Sequence, residues 1–408
     1  MEPASDERHR TLVYRPDSQV RMPRQLVECS QRQDSGDDEA GPAYPPIPPE
    51  YAMVPDPILG RGGYKIVYPC VDKNACCMVS INVCADQHLI TEAKTMKMFD
   101  HPKILPVIVA GWHGGRFVIV APLMKGDLHD KALSMAQHGR LNNFVVFGWV
   151  RDIARGLEYM HKKKIVHRDI KPSNILWHGD DGQDVKIADL GLSKRGPCTE
   201  NVGTPSYKAP EIVGLKGQRS AYGTPVDIFA LAMMIIYILT GTNPFKNYED
   251  EQIKQKMRQA LRTARRGEPG DPATSHIPPE FRMVTDPMWR PLLLQCLTVD
   301  PAARPSAGQL YEQFSEALAP PTIYVHPHMA AELRRLGIEQ EADLQEVDED
   351  FLRDPRCRLD LVSKQKLRRM KSEWEARKTA LLKPIVHDPA QIPAAGGAAA
   401  GGAAAGGV

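Results

Sequence analysis

The chain has 408 residues, of which 42% are hydrophobic and 25% are charged, and this composition is ordinary for a globular protein. Its 52 basic and 50 acidic side chains leave a net charge of +2, so no global charge indicates nucleic acid or a membrane surface as a partner. The eight cysteines form no CxxC pair and complete no zinc pattern, which predicts reduced thiols in an intracellular protein, cytoplasmic or nuclear.

The first 50 residues are polar, charged and irregular, and they end in the proline-rich sequence YPPIPPE. Such a composition buries too little apolar surface to fold, so residues 1–50 are predicted to form a disordered arm. We interpret its proline-rich end as a spacer, and a short ligand for an SH3-type groove is the alternative.

Short strands follow the arm. The sequences PILGRGGYKIVYPCVD and CCMVSINVC predict two strands joined by a turn at residues 72–74, and RFVIVAPL at 116–123 predicts another strand. Between them, residues 86–99 carry apolar side chains at helical spacing, with Asp86 as the predicted N-cap.

Helices dominate the later part of the chain. Residues 143–161 predict an amphipathic helix, and the apolar run at 228–240 is too short to span a bilayer and predicts a buried core helix. Strands followed by helices are typical of an α+β fold with a small β-rich N-lobe and a larger helical C-lobe. We place the N-lobe at residues 51–123 and the C-lobe at 124–319.

The string HRDIKPSN at residues 167–174 carries the strongest chemical signal. Phosphoryl transfer to a hydroxyl needs a carboxylate near that hydroxyl, a metal ligand, and positive charge on the moving group. Asp169 can orient the hydroxyl and accept its proton, while Asn174 can offer an oxygen to Mg²⁺. Lys171 can neutralise the γ-phosphate, and His167 would hold the loop by packing.

Further motifs follow this string in a fixed order. A DLG turn begins at Asp189, and then come GTPSYKAPE at 203–211, VDIFA at 226–230 and DPAARPSA at 300–307. With these motifs in this order, residues 51–319 resemble the eukaryotic protein kinases. The resemblance implies ATP and Mg²⁺ as cofactors, with Asp189 as a second metal ligand beside Asn174.

The family resemblance also implies a substrate class and a structural frame. Lys171 and Thr204 resemble the serine/threonine class rather than tyrosine kinases, so the expected substrate is a protein with serine or threonine acceptors. In this family Glu211 and Arg304 form a buried ion pair, and Asp227 tethers the catalytic loop. Breaking such a pair from one side costs roughly 3–5 kcal/mol.

The residue before Asp169 bears on regulation. Arg168 at this place resembles kinases that are switched by phosphorylation of the activation loop. Thr199 and Ser193 are the candidate acceptors, and Glu200 is an alternative that would supply the negative charge permanently. Surface hydroxyls without such a role are equally compatible with the sequence.

The nucleotide site is predicted in the N-lobe. Its glycines let the backbone approach the phosphates closely. Val120 is expected at the back of the adenine pocket, and the backbone of Ala121 and Leu123 is expected to meet the adenine edge. Asp127 would reach the ribose. The residues predicted to bind ATP are Leu59, Gly60, Gly62, Gly63, Lys65, Val67, Asn82, Ala121, Leu123 and Asp127.

Asn82 stands where this family carries the strand lysine that holds the ATP phosphates. At about 4 Å and an effective dielectric near 20, one charge pair is worth roughly 4 kcal/mol, or about three orders of magnitude in rate. Lys65 replaces a glycine of the loop and shares a strand face with Val67, because side chains alternate along a strand. The loop GRGGYKIVY is similar to that of the with-no-lysine kinases, which implies that Lys65 is the missing cation; a solvated lysine is the alternative.

Glu92 stands where the family carries the helix glutamate that pairs with this lysine. Only ten residues separate it from Asn82, which predicts a helix shortened at its N-terminus. Glu92 then either pairs with Lys65 or is solvated. Two functions are therefore compared: an active serine/threonine kinase that uses Lys65, and a pseudokinase scaffold that binds partners with weak or no catalysis.

Two segments follow the kinase-like region. Residues 327–382 are charged and helical in pattern and loosely resemble a SAM-type interaction module, which would bind a protein partner. An extra helical subdomain packed on the kinase is the alternative. Residues 383–408, which end in alanine and glycine repeats, predict a flexible tail.

Overall fold

The computed structural model describes residues 47–53, 59–61, 66–73, 77–84, 88–113, 116–179, 182–215, 220–266, 275–318, 352 and 361–387. Several predictions concern residues outside these ranges, namely most of the arm (1–46), Gly62, Gly63, Lys65, Asp86, most of 327–360, and 388–408.

The strands of the described ranges are β1 (Tyr51–Met53), β2 (Gly60–Arg61), β3 (Ile66–Asp72), β4 (Cys77–Cys84), β5 (Val109–His113), β6 (Arg116–Pro122), β7 (Gly126–Asp127), β8 (Ile165–Val166), β9 (Ile175–His178), β10 (Asp184–Ile187) and β11 (Lys194–Arg195).

The α-helices are α1 (His88–Met96), α2 (Leu128–Gln137), α3 (Asn143–Lys162), α4 (Pro210–Val213), α5 (Pro225–Thr240), α6 (Asp250–Arg266), α7 (Arg290–Cys296), α8 (Ala307–Leu318) and α9 (Leu361–Leu382). Strands thus precede the long helices, and the predicted α+β fold with a β-rich N-lobe and a helical C-lobe is confirmed.

One antiparallel sheet forms the N-lobe. Its strand order is β1-β3-β4-β6-β5, and β2 pairs with β3 outside this path. The register sets Asn82 opposite Val67 of β3 on one side and opposite Ile119 of β6 on the other. Asn82 therefore lies in the middle strand of the sheet, on the strand that carries the lysine in the family it resembles.

Helix α1 joins the sheet to the C-lobe. Its described length is nine residues, from His88 to Met96, which is shorter than the predicted 86–99. Leu89, Ala93 and Met96 recur at helical spacing and are buried in the main core. The helix packs against β6 and against the turn at Leu190–Leu192, so its short length still allows it to dock beside the DLG motif.

Helices α3 and α5 lie at the centre of the C-lobe. The predicted core helix is α5, of which 14 residues are buried. No helix in the described ranges has both the length and the apolar character needed to cross a membrane. Helix α3 begins after Asn142, whose side-chain oxygen accepts the N–H of Val145 at 3.0 Å and so caps the helix.

The C-terminal residues of the described part lie against the C-lobe. After α9, the N–H of Ile385 donates to the carbonyl of Leu141 at 2.7 Å, and Nε2 of His387 donates to the carbonyl of Ile238 at 2.8 Å. His387 is only 3% exposed. Residues 384–387 therefore differ from the flexible tail predicted from residue 383, because they carry apolar and hydrogen-bonding groups that the alanine/glycine repeats lack.

Candidate active site

The catalytic loop is held by a carboxylate beneath it. Asp227, in the first turn of α5, is fully buried and accepts the N–H of His167 and the N–H of Arg168, each at 2.9 Å. Nε2 of His161 lies 2.9 Å from the same carboxylate. Burial alone would raise the pKa of Asp227, but His161 and the backbone donors hold it below its usual range. The expected tether is therefore an ionised, fully hydrogen-bonded anchor.

Asp169 receives four hydrogen bonds. Its Oδ1 accepts the N–H of Thr204 at 2.8 Å and the hydroxyl of Thr204 at 2.7 Å. Its Oδ2 lies 2.7 Å from the Lys171 ammonium and 3.0 Å from Nδ2 of Asn174. Burial would raise the pKa of Asp169, but Lys171 and Thr204 outweigh it and leave this pKa lowered. The carboxylate is thus charged and fixed in orientation.

The approach of Thr204 to this carboxylate depends on the glycine before it. Gly203 has a φ of +96°, a conformation that side chains disfavour. A Cβ at this position would lie 2.4 Å from the carbonyl oxygen of Arg168. Glycine therefore lets the activation segment, residues 189–211, lie directly on the catalytic loop, residues 167–174.

The two predicted metal ligands lie beside adjoining strands, Asn174 directly before β9 and Asp189 two residues after β10. Asn174 directs its amide nitrogen at the Asp169 carbonyl, at 2.7 Å, so its amide oxygen points away from Asp169. The N–H of Ala188 donates to the carbonyl of Asn174 at 2.9 Å, and Asp189 follows directly. His167 accepts the N–H of Asp169 on Nδ1, so its Nε2 donates to the carbonyl of Ala188 at 3.1 Å. His167 thereby links the catalytic loop to the DLG motif.

Oxygen donors of this type suit Mg²⁺, which binds through one or two carboxylates and completes its shell with water and phosphate oxygens. Asn174 and Asp189 provide an amide oxygen and a carboxylate on neighbouring chain segments, so the residues present fit such an ion.

Glu92 reaches the same region from α1. It is 6% exposed, which is inconsistent with a solvated glutamate. A Cβ built on Gly191 would lie 3.4 Å from Oδ1 of Asp189 and 3.7 Å from Oε2 of Glu92. The two carboxylates therefore flank Gly191.

A second cluster orders the activation segment. The Arg168 guanidinium donates to Glu200 at 3.0 Å, and the Lys194 ammonium donates to the other oxygen of Glu200. The Tyr222 hydroxyl donates to the carbonyl of Glu200 at 2.6 Å. The hydrogen bond from Lys194 is the main reason that the pKa of Glu200 falls to about 2. Glu200 therefore carries a permanent charge at the place where an acidic partner of Arg168 was expected.

The candidate phosphorylation sites differ in access. Thr199 is exposed, and its N–H donates to Glu200 at 3.2 Å. Ser193 is 8% exposed, so a phosphate donor cannot reach its hydroxyl without a local rearrangement.

Glu211 and Arg304 form the ion pair that the resemblance implied. The guanidinium donates to both carboxylate oxygens, at 2.6 and 2.9 Å, and the Arg304 side chain is fully buried. This two-point contact joins the end of the activation segment to the base of the C-lobe.

The described part of the nucleotide site lies on β2 to β6. Gly60 pairs with Val67, and the preceding Leu59 is 50% exposed. Ala121 is buried, and its carbonyl accepts the Ser80 hydroxyl at 3.3 Å, while Leu123 is half-buried.

Asp127 has a structural role in addition to the predicted ribose contact. It is the N-cap of α2, where its Oδ1 accepts the N–H of Asp130 at 3.1 Å. Burial raises the pKa of this carboxyl.

The sequence analysis did not single out every residue that the structure brings to the site. Lys194 and Tyr222 hold Glu200 from 6 and 22 residues away, and Lys208 lies beside the catalytic loop. Lys208 could have been found from its place in GTPSYKAPE, where a cation lies between apolar residues. No local sequence pattern marks Lys194 or Tyr222 as a partner of Glu200.

Comparison with known proteins supports the class that this geometry defines. A family model described as the protein kinase domain matches residues 54–314, which is more than half of the chain. The chain therefore belongs to the protein kinase domain family.

Individual relatives agree with this class. A probable myosin light chain kinase of Dictyostelium discoideum is 30% identical over 268 residues, which cover 62% of this chain and 63% of that protein. Human serine/threonine-protein kinase DCLK2 is also 30% identical over 268 residues, covering 62% of this chain and 32% of its own. Serine/threonine-protein kinase pkpA of Phycomyces blakesleeanus is 28% identical over 293 residues, which cover 69% of this chain and 44% of that protein. The chain thus matches less than two thirds of the length of each relative.

Proposed function

We propose that this protein is a serine/threonine protein kinase that transfers the γ-phosphoryl group of ATP to hydroxyl groups of protein substrates. The observation that carries the proposal is the charged, fully hydrogen-bonded Asp169 between Lys171 and Thr204, next to two oxygen ligands suited to Mg²⁺. Phosphoryl transfer needs a carboxylate at the hydroxyl, metal ligands and positive charge, whereas a scaffold needs none of them.

Asp169 positions the attacking hydroxyl. During transfer the hydroxyl oxygen bonds to the γ-phosphorus, the bond from phosphorus to the bridging oxygen of ADP breaks, and the hydroxyl proton passes to Asp169. A carboxylate with a lowered pKa is a weak base, so Asp169 contributes more by orienting the hydroxyl than by withdrawing its proton early. Lys171 is adjacent and neutralises charge on the moving group.

Asn174 and Asp189 would hold Mg²⁺. When bound, the ion neutralises the charge of the ATP phosphates. The protein's contribution is the hydrogen bond between Ala188 and Asn174, together with the His167 link, which keep the two ligands at adjoining positions.

Lys65 supplies the cation that Asn82 cannot. Asn82 lies in the middle strand of the N-lobe sheet, directly opposite Val67. By sequence, Lys65 is two residues before Val67 and is expected on the same strand face. Buried Glu92 would be its carboxylate partner.

A pseudokinase scaffold is the second candidate, and Asn82 is the observation that favours it. The two functions differ in one measurement. The protein is incubated with γ-³²P-ATP, Mg²⁺ and a generic basic protein, and the labelled amino acids are then identified. We expect label on serine and threonine, and its loss in Asp169→Ala. Equal labelling by both proteins, or label on tyrosine alone, would contradict the proposed kinase.

We further propose that Glu200 keeps the activation segment ordered without phosphorylation. Replacing Glu200 with alanine leaves the largely buried Arg168 guanidinium without its carboxylate. We expect kcat to fall at least about tenfold, the factor that corresponds to the loss of one hydrogen-bonded charge pair. Because the pKa of Glu200 is lowered to about 2 from 4.5, this contact persists above pH 4.5 and is lost only as the pH falls toward 2.

The controls for Glu200 are Thr199→Ala and Glu373→Ala. Thr199 is exposed, and Glu373 forms an exposed ion pair with Arg369 on α9, so both variants should keep the wild-type kcat. Loss of activity after phosphatase treatment of the wild type would show that a phosphate, not Glu200, orders the segment.

A further inference from the structure

Lys208 is a buried cation beside the catalytic carboxylate. It lies four residues after Thr204 and is 8% exposed. Together with Arg168, Asp169 and Thr204 it lines a cavity of about 10 Å³, which has room for about one water molecule. The side chain therefore lines the same small cavity as Asp169, the residue proposed to orient the acceptor hydroxyl.

The hydrogen bonding of this ammonium is incomplete. It donates to Oδ1 of Asn201 at 3.0 Å, and within the described ranges no carboxylate forms an ion pair with it. An ammonium has three donors, and a buried cation is costly unless an anion accompanies it. A neutral amide satisfies only one of these donors and none of the charge.

The surroundings of Lys208 further disfavour its positive charge. Burial is the main cause that lowers its pKa, and the Lys254 ammonium on α6 lowers it further, whereas Asp169 and Asp250 act in the opposite direction. Lys254 itself pairs with Glu251 at 3.3 Å. Asn201, which accepts the hydrogen bond of the Lys208 ammonium, is exposed, so an incoming group can displace its amide. The structure thus places a buried positive charge beside Asp169, with its hydrogen bond made to an exposed amide.

We propose that Lys208 selects protein substrates in which an aspartate or glutamate lies within a few residues of the phosphorylated serine or threonine. The substrate carboxylate takes the place of the Asn201 amide and supplies the anion that the buried ammonium lacks. The inference rests on the proposed kinase function, because it names a feature of the substrate for the same site.

The test uses peptides with a single acceptor serine in an alanine background. Glutamate or glutamine is placed at each of three positions on either side, because this pair differs in charge and hardly in shape. For each position the ratio of kcat/KM for the glutamate peptide to that for the glutamine peptide is measured. We expect a ratio of about 10 to 100 at one or two positions in the wild type, the range for a hydrogen bond between charged groups.

The variants then assign the preference to Lys208. We expect Lys208→Met and Lys208→Gln to bring the ratio close to one at those positions, and Lys208→Arg to retain most of it. The control is Lys97→Met, because Lys97 is exposed in the N-lobe; its ratios should equal those of the wild type. Since each ratio compares two peptides with one protein, a general loss of activity does not imitate the effect.

The outcomes separate the two proposals. If the wild type phosphorylates the peptides with ratios near one at every position, or if Lys208→Gln keeps the wild-type ratios, the acidic preference is refuted while the kinase function stands. If the wild type phosphorylates no peptide and no protein, both proposals fail. Thermal unfolding of each variant shows whether it is folded, and the wild-type ratios decide the matter even where one substitution prevents folding.

Discussion

Asparagine in place of Asp169 is expected to lower kcat by about 10²- to 10⁴-fold, the usual contribution of a positioned acid or base. The wild-type carboxylate accepts four hydrogen bonds, from the N–H and hydroxyl of Thr204, from Lys171 and from Asn174. An amide nitrogen at either oxygen position would face a donor and repel it. The variant therefore loses both the base and the orientation of its neighbours.

ATP binding should survive this change, because Asp169 is not among the residues predicted to contact the nucleotide. The measurements are the single-turnover rate of transfer and the Kd of ATP, each for Asp169→Asn and for Asp100→Asn. Asp100 is exposed and distant in sequence, so its variant should retain the wild-type rate. Equal rates for the two variants would remove Asp169 from the mechanism.

The second large effect concerns the cation of the nucleotide site. We expect Lys65→Ala to lower kcat/KM by about three orders of magnitude, because one close charge pair is worth roughly 4 kcal/mol at an effective dielectric near 20. Asn82→Ala should change it little, since the asparagine carries no charge. Asn82 lies on the middle strand of the sheet, at the position where the family carries its lysine. A lysine introduced at residue 82 is therefore expected to supply the cation in place of Lys65.

A double variant makes this prediction sharper. If the site needs one cation from either strand, Lys65→Ala combined with Asn82→Lys should recover a substantial part of the lost activity. Lys97→Ala is the control for the loss of a positive charge elsewhere in the N-lobe. A larger loss for Asn82→Ala than for Lys65→Ala would contradict the proposed role of Lys65 and favour a scaffold.

Much of the fold could be predicted from local patterns. The period of apolar residues predicted α3 at 143–161, and the structure has Asn143–Lys162. The apolar run within α5 predicted its burial, since a helix that is hydrophobic on all sides belongs in a core. The strands on either side of residues 72–74 were also predicted from the sequence. Their pairing sets Asn82 opposite Val67.

The parts that could not be predicted depend on contacts between distant residues. Glu200 was weighed as a permanent charge because it is near Gly203, but the Tyr222 hydroxyl that holds its backbone is 22 residues away. The cap of α3 by Asn142 was missed because asparagine in a polar stretch fits a loop equally well. The place of Lys208 in GTPSYKAPE was a signal for a buried cation, but no local pattern predicts its hydrogen bond to Asn201.

The contacts of Ile385 and His387 bear on where the stable folding unit ends. The family match stops at residue 314. The carbonyls of Leu141 and Ile238 nevertheless accept hydrogen bonds from Ile385 and His387, about seventy residues beyond that boundary. A Cβ on Gly241 would come within 2.6 Å of the His387 ring, so the two surfaces fit closely. A truncated protein made for crystallisation or assay should therefore extend through residue 387. Stopping at the family boundary would expose the C-lobe surface that Ile385 and His387 contact.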